Sequence, residues 1–454
     1  MNHLTKRQPI DKTFYKMVFA IIFPIILQNM VNTLVSSVDV IMLGYVDQIS
    51  LTASSLANQP YNILSFIFYG VSSGSAILAS QYWGKRDLVT VEKILGIALR
   101  ISLIFALGFA FVVCFFSETV MRFYTKDPAV IAAGMIYLKI ISMTYIFSAV
   151  TQMYLCVQRC VERVRLSTVV LSISLILNVV LNACFIFGIG FFPRMGLTGV
   201  AIATCIARAV ELAICLVDSA RNCLAKIRIS YLWARERLLF LDFMKYSLPA
   251  LANDVVASVG WSMYSVILGH LGTDVVAANA IAVVARNWGT VFCFGAASGC
   301  AIILGRTLGE NQLELAKDYA KRFLRLSFLF GAFGGILILV LRPFFLTMGH
   351  LDAKAKWYLS IMLFINAYYV IGMALNSTWI GSVFRSGGDS RFGFLCDAVT
   401  LWCWVIPMGF ILAFFIKLPP IWVYLFLMGD EFYKMPFIYR HYKRYGWLKN
   451  ITRE

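Results

Sequence analysis

Charge is what this chain has least of. Only 14% of its 454 residues are charged and 60% are hydrophobic, against the roughly 25% charged usual in soluble proteins. A soluble globular chain is therefore excluded. Acids are scarcer still: 23 Asp and Glu stand against 40 Lys and Arg, a formal charge of +17. A nucleic-acid partner would require those basic residues to cluster in a polar domain. They sit instead in short loops between apolar runs, so no nucleic acid is expected. The four histidines (His3, His270, His350, His441) are scattered, and no histidine metal site is expected. The cysteines lie almost all inside apolar runs, as at Cys114, Cys184, Cys205, Cys293 and Cys403, without the spacing of a zinc site or a disulfide framework. No signal peptide is expected either. Met1 to Lys16 is polar and basic, and the first apolar run is too long for a cleaved segment.

What is present is a series of long apolar runs. A bilayer core needs about 20 apolar residues per helix, and twelve runs meet that: 17–43, 52–80, 94–117, 129–157, 168–190, 196–218, 246–270, 275–304, 323–342, 356–383, 392–416 and 419–438. The spacing predicts an all-α polytopic membrane protein. Its basic residues alternate. Twenty-nine lie on the tails and loops of one face and 7 on the loops of the other, which places both termini in the cytoplasm by the positive-inside bias.

The chain is also duplicated. Moving 225 positions along it sets Pro24 on Pro249, Gly44 on Gly269, Ala53 on Ala278, Gly70 on Gly295 and Gly84 on Gly309. With the offset slipping to 226, Arg159 falls on Arg385 and Arg165 on Arg391. Six spans per half keep both halves in one orientation, so a pseudo-two-fold along the membrane normal is expected, with a substrate path between the halves. The boundaries are 1–218 for the first bundle, 219–245 for a linker with an interfacial helix, and 246–454 for the second.

Several segments together, Pro24 with Leu27-Gln28, Asp39 to Gly44, Gln81-Tyr-Trp-Gly-Lys-Arg-Asp87, Asn178 with Phe185-Ile-Phe-Gly188, Gly196 to Thr204 and Phe384 to Arg391, resemble the multidrug and toxin extrusion (MATE) family over essentially the whole chain. The resemblance implies a secondary-active exporter with a cation-coupling site in the first half, and Asp39, Asn178 and Asn182 stand at matching positions. Relatives often carry Asp where this chain has Asn182.

The residues themselves point to the same layer. Asp39 is a lone carboxylate inside the first apolar helix, about 7 Å from its outer end, and an ionisable group there is by default a functional candidate. Its repeat counterpart is Tyr264. Asn178 and Asn182 are four apart and share a helix face. Asn58, Asn62, Thr198 and Thr204 lie at a similar depth. A carboxylate ringed by amides and hydroxyls can hold sodium through oxygen ligands, in which case Asp39, Asn178 and Asn182 are its metal ligands, or take up a proton. Both remain open. Lys139 is read as snorkelling to the outer interface rather than pairing with Asp39.

In the second half Asp254 and Arg286 reach comparable depths and are expected either to neutralise one another or to line the cleft. The cleft set is Gln28, Asn253, Asp254, Tyr264, Arg286, Asn287, Tyr61 and Trp288, whose rings suit flat, lipophilic cations. Asp397 is expected to pair with a loop arginine, Arg208 with Glu211, and Asp430 and Glu431 to be structural at the inner end of the last span. The Gly-rich Arg385–Arg391 segment is read as a tight turn. The reading is a monomeric plasma-membrane carrier, not an enzyme. It needs no cofactor beyond Na+ or H+ as coupling ion and exports an organic, cationic substrate by alternating access. The alternatives are a lipid-linked oligosaccharide flippase or metabolite exporter of the same wider superfamily, an intramembrane enzyme, and a channel.

Overall fold

The computed structural model describes residues 10–44, 48–189, 193–221, 224–233, 236–347 and 352–453, with the side chains of 10–13, 32–44, 48 and 51 outside the description. In chain order the helices are α1 (Ile10–Gly44), α2 (Gln48–Ala57), α3 (Gln59–Gly84), α4 (Leu88–Phe115), α5 (Ser117–Tyr124), α6 (Pro128–Cys160), α7 (Val164–Phe187), α8 (Gly196–Arg221) and α9 (Ile229–Trp233). The second half runs α10 (Arg237–Gly269), α11 (Thr273–Gly309), α12 (Leu313–Val340), α13 (Arg342–Thr347), α14 (Ala353–Thr378), α15 (Ser390–Ala398), α16 (Ile406–Phe410), α17 (Pro420–Leu427), α18 (Asp430–Tyr433) and α19 (Met435–Lys443). A π-helical turn extends α14 to Phe384, and two more link α15 and α16 into one rod ending at Phe415.

Among the described residues, eleven helical stretches are long and apolar enough to cross a bilayer. The twelfth expected run is present but broken. The turn at Met428-Gly429 and another at Lys434 divide it into α17, α18 and α19. Large side chains such as Phe111, Phe115, Phe328, Leu329, Ile336 and Phe415 are exposed on the outside, as suits surface that meets lipid. The linker helix α9 is five residues long, with Ile229 and Trp233 exposed. That is compatible with lying in the interface.

The duplication is visible in the packing. α3 packs on α4 and α6, and α11 on α12 and α14 in the same way. Between the halves α1 packs on α11 while α10 packs on α3. The close approaches obey the 225-residue offset residue by residue. Gly70 meets Leu251 where Gly295 meets Ile26, Gly74 meets Ser247 where Gly299 meets Ile22, and Gly84 meets Arg306 where Gly309 meets Gln81. Gly305 and Ser80, each other's equivalents, meet one another. Swapping the two members of each pair returns the same set of contacts, which is the signature of a two-fold. Twelve spans in two six-helix repeats follow. Each repeat buries its own apolar core, and a third core seals the seam with Phe14, Ile22 and Ile26 of α1 against Cys300 and Leu304 of α11, Phe384 and Trp447.

Candidate coupling layer and substrate cleft

In the first repeat a polar ladder runs between α7 and α8. Asn182 donates its amide to Asn178 Oδ1 at 3.2 Å, and Asn178 donates to Thr204 Oγ1 at 3.1 Å. Thr204 donates in turn to the Val200 carbonyl at 2.9 Å. Both asparagines are buried, so each bond replaces water that the bilayer interior cannot supply. One turn further along α7, Ser174 Oγ donates to Glu211 Oε2 at 3.0 Å, and Arg208 bonds the same oxygen at 2.7 Å. The Arg208–Glu211 pairing is as expected. Ser174 was missed, although Ser174, Asn178 and Asn182 fall every fourth residue and so share a face.

Asn58 occupies the turn between α2 and α3 and donates to Tyr137 Oη of α6 at 3.3 Å. It belongs to the α3–α6 side of the bundle, as does Tyr61, which meets Ser148 at 3.5 Å and Gln152 at 3.4 Å. Asn62 is exposed and Thr198 half-buried, while Lys139 is exposed. Asp39 belongs to α1, which packs on α7; its side chain lies outside the described residues.

The second repeat corrects four expectations. Asp254 pairs with Arg385, at 2.6 Å, and not with Arg286. Arg385 also bonds Asn253 Oδ1 at 2.8 Å and crosses to Ser73 Oγ of the first repeat at 3.2 Å. Arg286 instead lies over the Tyr369 ring, 5.5 Å from its centroid, and donates to Met428 Sδ at 3.4 Å. Asp397 is bound by Lys434 and by Asn253, both at 2.7 Å, rather than by a loop arginine. Asn253 and Tyr264 are buried within the repeat and do not line an open cleft, because α15, α16 and α17 pack on α10. Asp430 and Glu431 stand midway along the broken twelfth span and not at its inner end: ten residues separate Asp430 from Pro420 and thirteen from Lys443. Of the remaining cleft candidates, Asn287 is exposed, Trp288 is half-buried, and Gln28 is buried.

On the face that carries the C-terminus the two repeats are locked together. Gln81 donates to the Ser386 carbonyl at 2.6 Å and accepts from the Ile451 N–H at 2.8 Å. Arg306 bonds Glu162 at 2.6 Å, and the Arg453 N–H donates to Tyr82 Oη at 3.1 Å. The Arg385–Arg391 turn is confirmed, with Gly388 at φ +78°, in the left-handed region that favours glycine. A Cβ at Gly309 would overlap the Gln81 carbonyl, backbone against backbone. Gly309→Val is therefore expected to prise this face open. Overpacking of about 1–3 kcal/mol corresponds to a roughly 5- to 150-fold shift of the conformational ratio. Spin-label distances between the ends of α3 and α11 would report it, and unchanged distances would refute it.

Two pseudo-symmetric six-span repeats, sealed on one face and carrying a buried polar layer, are the architecture of a membrane transporter. The sequence profile of the MatE family matches residues 24–184 and again 249–411, once in each repeat. The chain belongs to that family, whose members are multidrug-resistance transporters. It is 18% identical to an uncharacterized transporter, YisQ, of Bacillus subtilis over 98% of this chain and 97% of that one. It is 21% identical to a probable multidrug resistance protein, YoeA, of the same organism over 95% and 94%. A crystal structure of the Vibrio cholerae MATE transporter VcmN in the bent form superposes with a TM-score of 0.84 at 17% identity, covering 96% of this chain and 97% of the other.

Proposed function

We propose that this protein exports an organic substrate, cationic by the ring faces available to it, in exchange for sodium ions or protons that bind at Asp39. The observation that carries this reading is the buried Asn182–Asn178–Thr204 ladder between α8 and α7, the helix that packs on α1. Side-chain oxygens held in a fixed row inside a bilayer are a ready seat for a small cation beside a carboxylate. Asn178, Asn182 and Thr204 would position that ion, and Asn58 supports the layer from the α6 side. The substrate path lies between the repeats, reached through Asn287, Trp288 and Tyr61. Asp254 is neutralised by Arg385, so aromatic faces rather than a free carboxylate would select the cation.

The basic face is cytoplasmic on this reading, in the plasma membrane, and the locked conformation is the one open to the outside. Residues 1–218 and 246–454 would move as monomeric halves of one carrier about the 219–245 linker. Ion binding drives export only if it differs in strength between the two conformations.

Efflux of a fluorescent cation from proteoliposomes, under a sodium gradient or a proton gradient imposed separately, tests the proposal. Dependence on neither gradient refutes it. A finer expectation concerns Thr204→Val, which strands the Asn178 amide. An unsatisfied buried donor costs about 1–3 kcal/mol, so the half-saturating coupling-ion concentration should rise roughly tenfold. An unchanged ion dependence would remove Thr204 from the site.

A further inference from the structure

The second repeat buries a chain of charges that the proposed function does not use. From the seam inward, Arg385 binds Asp254 at 2.6 Å and Asn253 at 2.8 Å, and Asn253 donates to Asp397 Oδ2 at 2.7 Å. Lys434 lies between Asp397, at 2.7 Å, and Glu431, at 3.1 Å. Asn376 donates to the same Glu431 oxygen at 2.7 Å.

Asp430 stands apart from these pairs. It is 1% exposed, and its Oδ1 accepts only the Glu431 N–H at 2.8 Å. Its Oδ2 lies buried beside the hydroxyl of Tyr264 on α10 and has no other partner among the described residues. The groups facing it are Glu431, Tyr433 and Lys434 of its own span, Tyr264 of α10 and Tyr369 of α14; behind them lie Asn376, bonded to Glu431, Asp397, bonded to Lys434, and Arg286 of α11 over the Tyr369 ring. Four carboxylates (Asp254, Asp397, Asp430, Glu431) therefore share the interior with three cations (Arg286, Arg385, Lys434). The set is one positive charge short. An uncompensated buried charge costs several kcal/mol.

We propose that Asp430 is a second proton-binding site, in the repeat opposite to Asp39. A single proton on Oδ2 makes the set neutral, and the carboxyl keeps its contact with the Tyr264 oxygen. A metal ion fits less well. The Lys434 ammonium already holds the point between Asp397 and Glu431, and the gap beside Asp430 offers two oxygens where hard cations take about six. The site lies at the Met428-Gly429 break of the twelfth span, so any movement that straightens or opens that break changes the surroundings of the proton.

Infrared difference spectroscopy of the full-length protein in lipid, at neutral pH, tests the proposal. A protonated-carboxyl band is expected that is lost in Asp430→Asn and survives Asp39→Asn, which separates this site from the proposed coupling layer. Tyr264→Phe, which keeps the packing, should retain the band but shift it as its hydrogen bond disappears. A spectrum unchanged in Asp430→Asn overturns the site. If that variant fails to fold, an unshifted band in Tyr264→Phe overturns it instead.

Discussion

Lys434→Met will lower the stability of the folded protein by about 3–5 kcal/mol, the range for removing one partner of a buried ion pair. The ammonium is 6% exposed and serves two carboxylates, Asp397 at 2.7 Å and Glu431 at 3.1 Å. Methionine fills the space but leaves both acids uncompensated in a repeat already short of positive charge. The loss therefore comes from the stranded carboxylates rather than from the missing bond itself. Neutralising them as well, with Asp397→Asn and Glu431→Gln in the Lys434→Met background, should return most of the stability, because an uncharged set of similar volume carries no desolvation penalty. Thermal unfolding of the detergent-solubilised variants measures both effects. A single variant as stable as the parent, or a triple variant no better than the single, would mean that the network is hydrated and weak.

What the sequence could disclose divides by range. Asn178 and Asn182 share a face because four residues make one turn, and the structure bonds them at 3.2 Å. Gly70, Gly84, Gly295 and Gly309 stood out through the 225-residue offset and proved to be the points where the repeats touch. The partner of Asp254 was beyond reach. Arg385 lies 131 residues away, and only the docking of α10 on α15 brings the two together. Helical depth made Arg286 the natural candidate, since periodicity measures distance along an axis and not direction around it. The twelfth span misled for another reason. Met428 and Gly429 are uncharged, so the apolar run reads as continuous although the backbone turns there. Asp430 and Glu431, with Lys434 close behind, then looked terminal, although Lys434 is itself buried. Hydropathy marks where polar side chains stop, and a paired charge inside the bilayer looks the same as an interface.

Asp39→Asn should reduce gradient-driven efflux at least tenfold, to near the rate of passive leak, while substrate binding survives. Asparagine keeps the size of the side chain and one acceptor oxygen, so the packing of α1 against α7 and α11 has no reason to change. What disappears is the negative charge that would hold sodium and the group that would take up a proton. The coupling free energy is small: each 1.4 kcal/mol alters affinity tenfold, so losing the ion's preference for one conformation removes the drive without disturbing either conformation. Equilibrium binding of the fluorescent substrate, with flux measured in parallel, separates the two effects. Loss of flux with binding intact is the expected outcome, and it should hold for whichever ion the wild type uses. Undiminished flux in Asp39→Asn would move coupling away from the Asn182–Asn178–Thr204 layer altogether. Loss of binding together with flux would mean that this carboxylate serves the substrate directly.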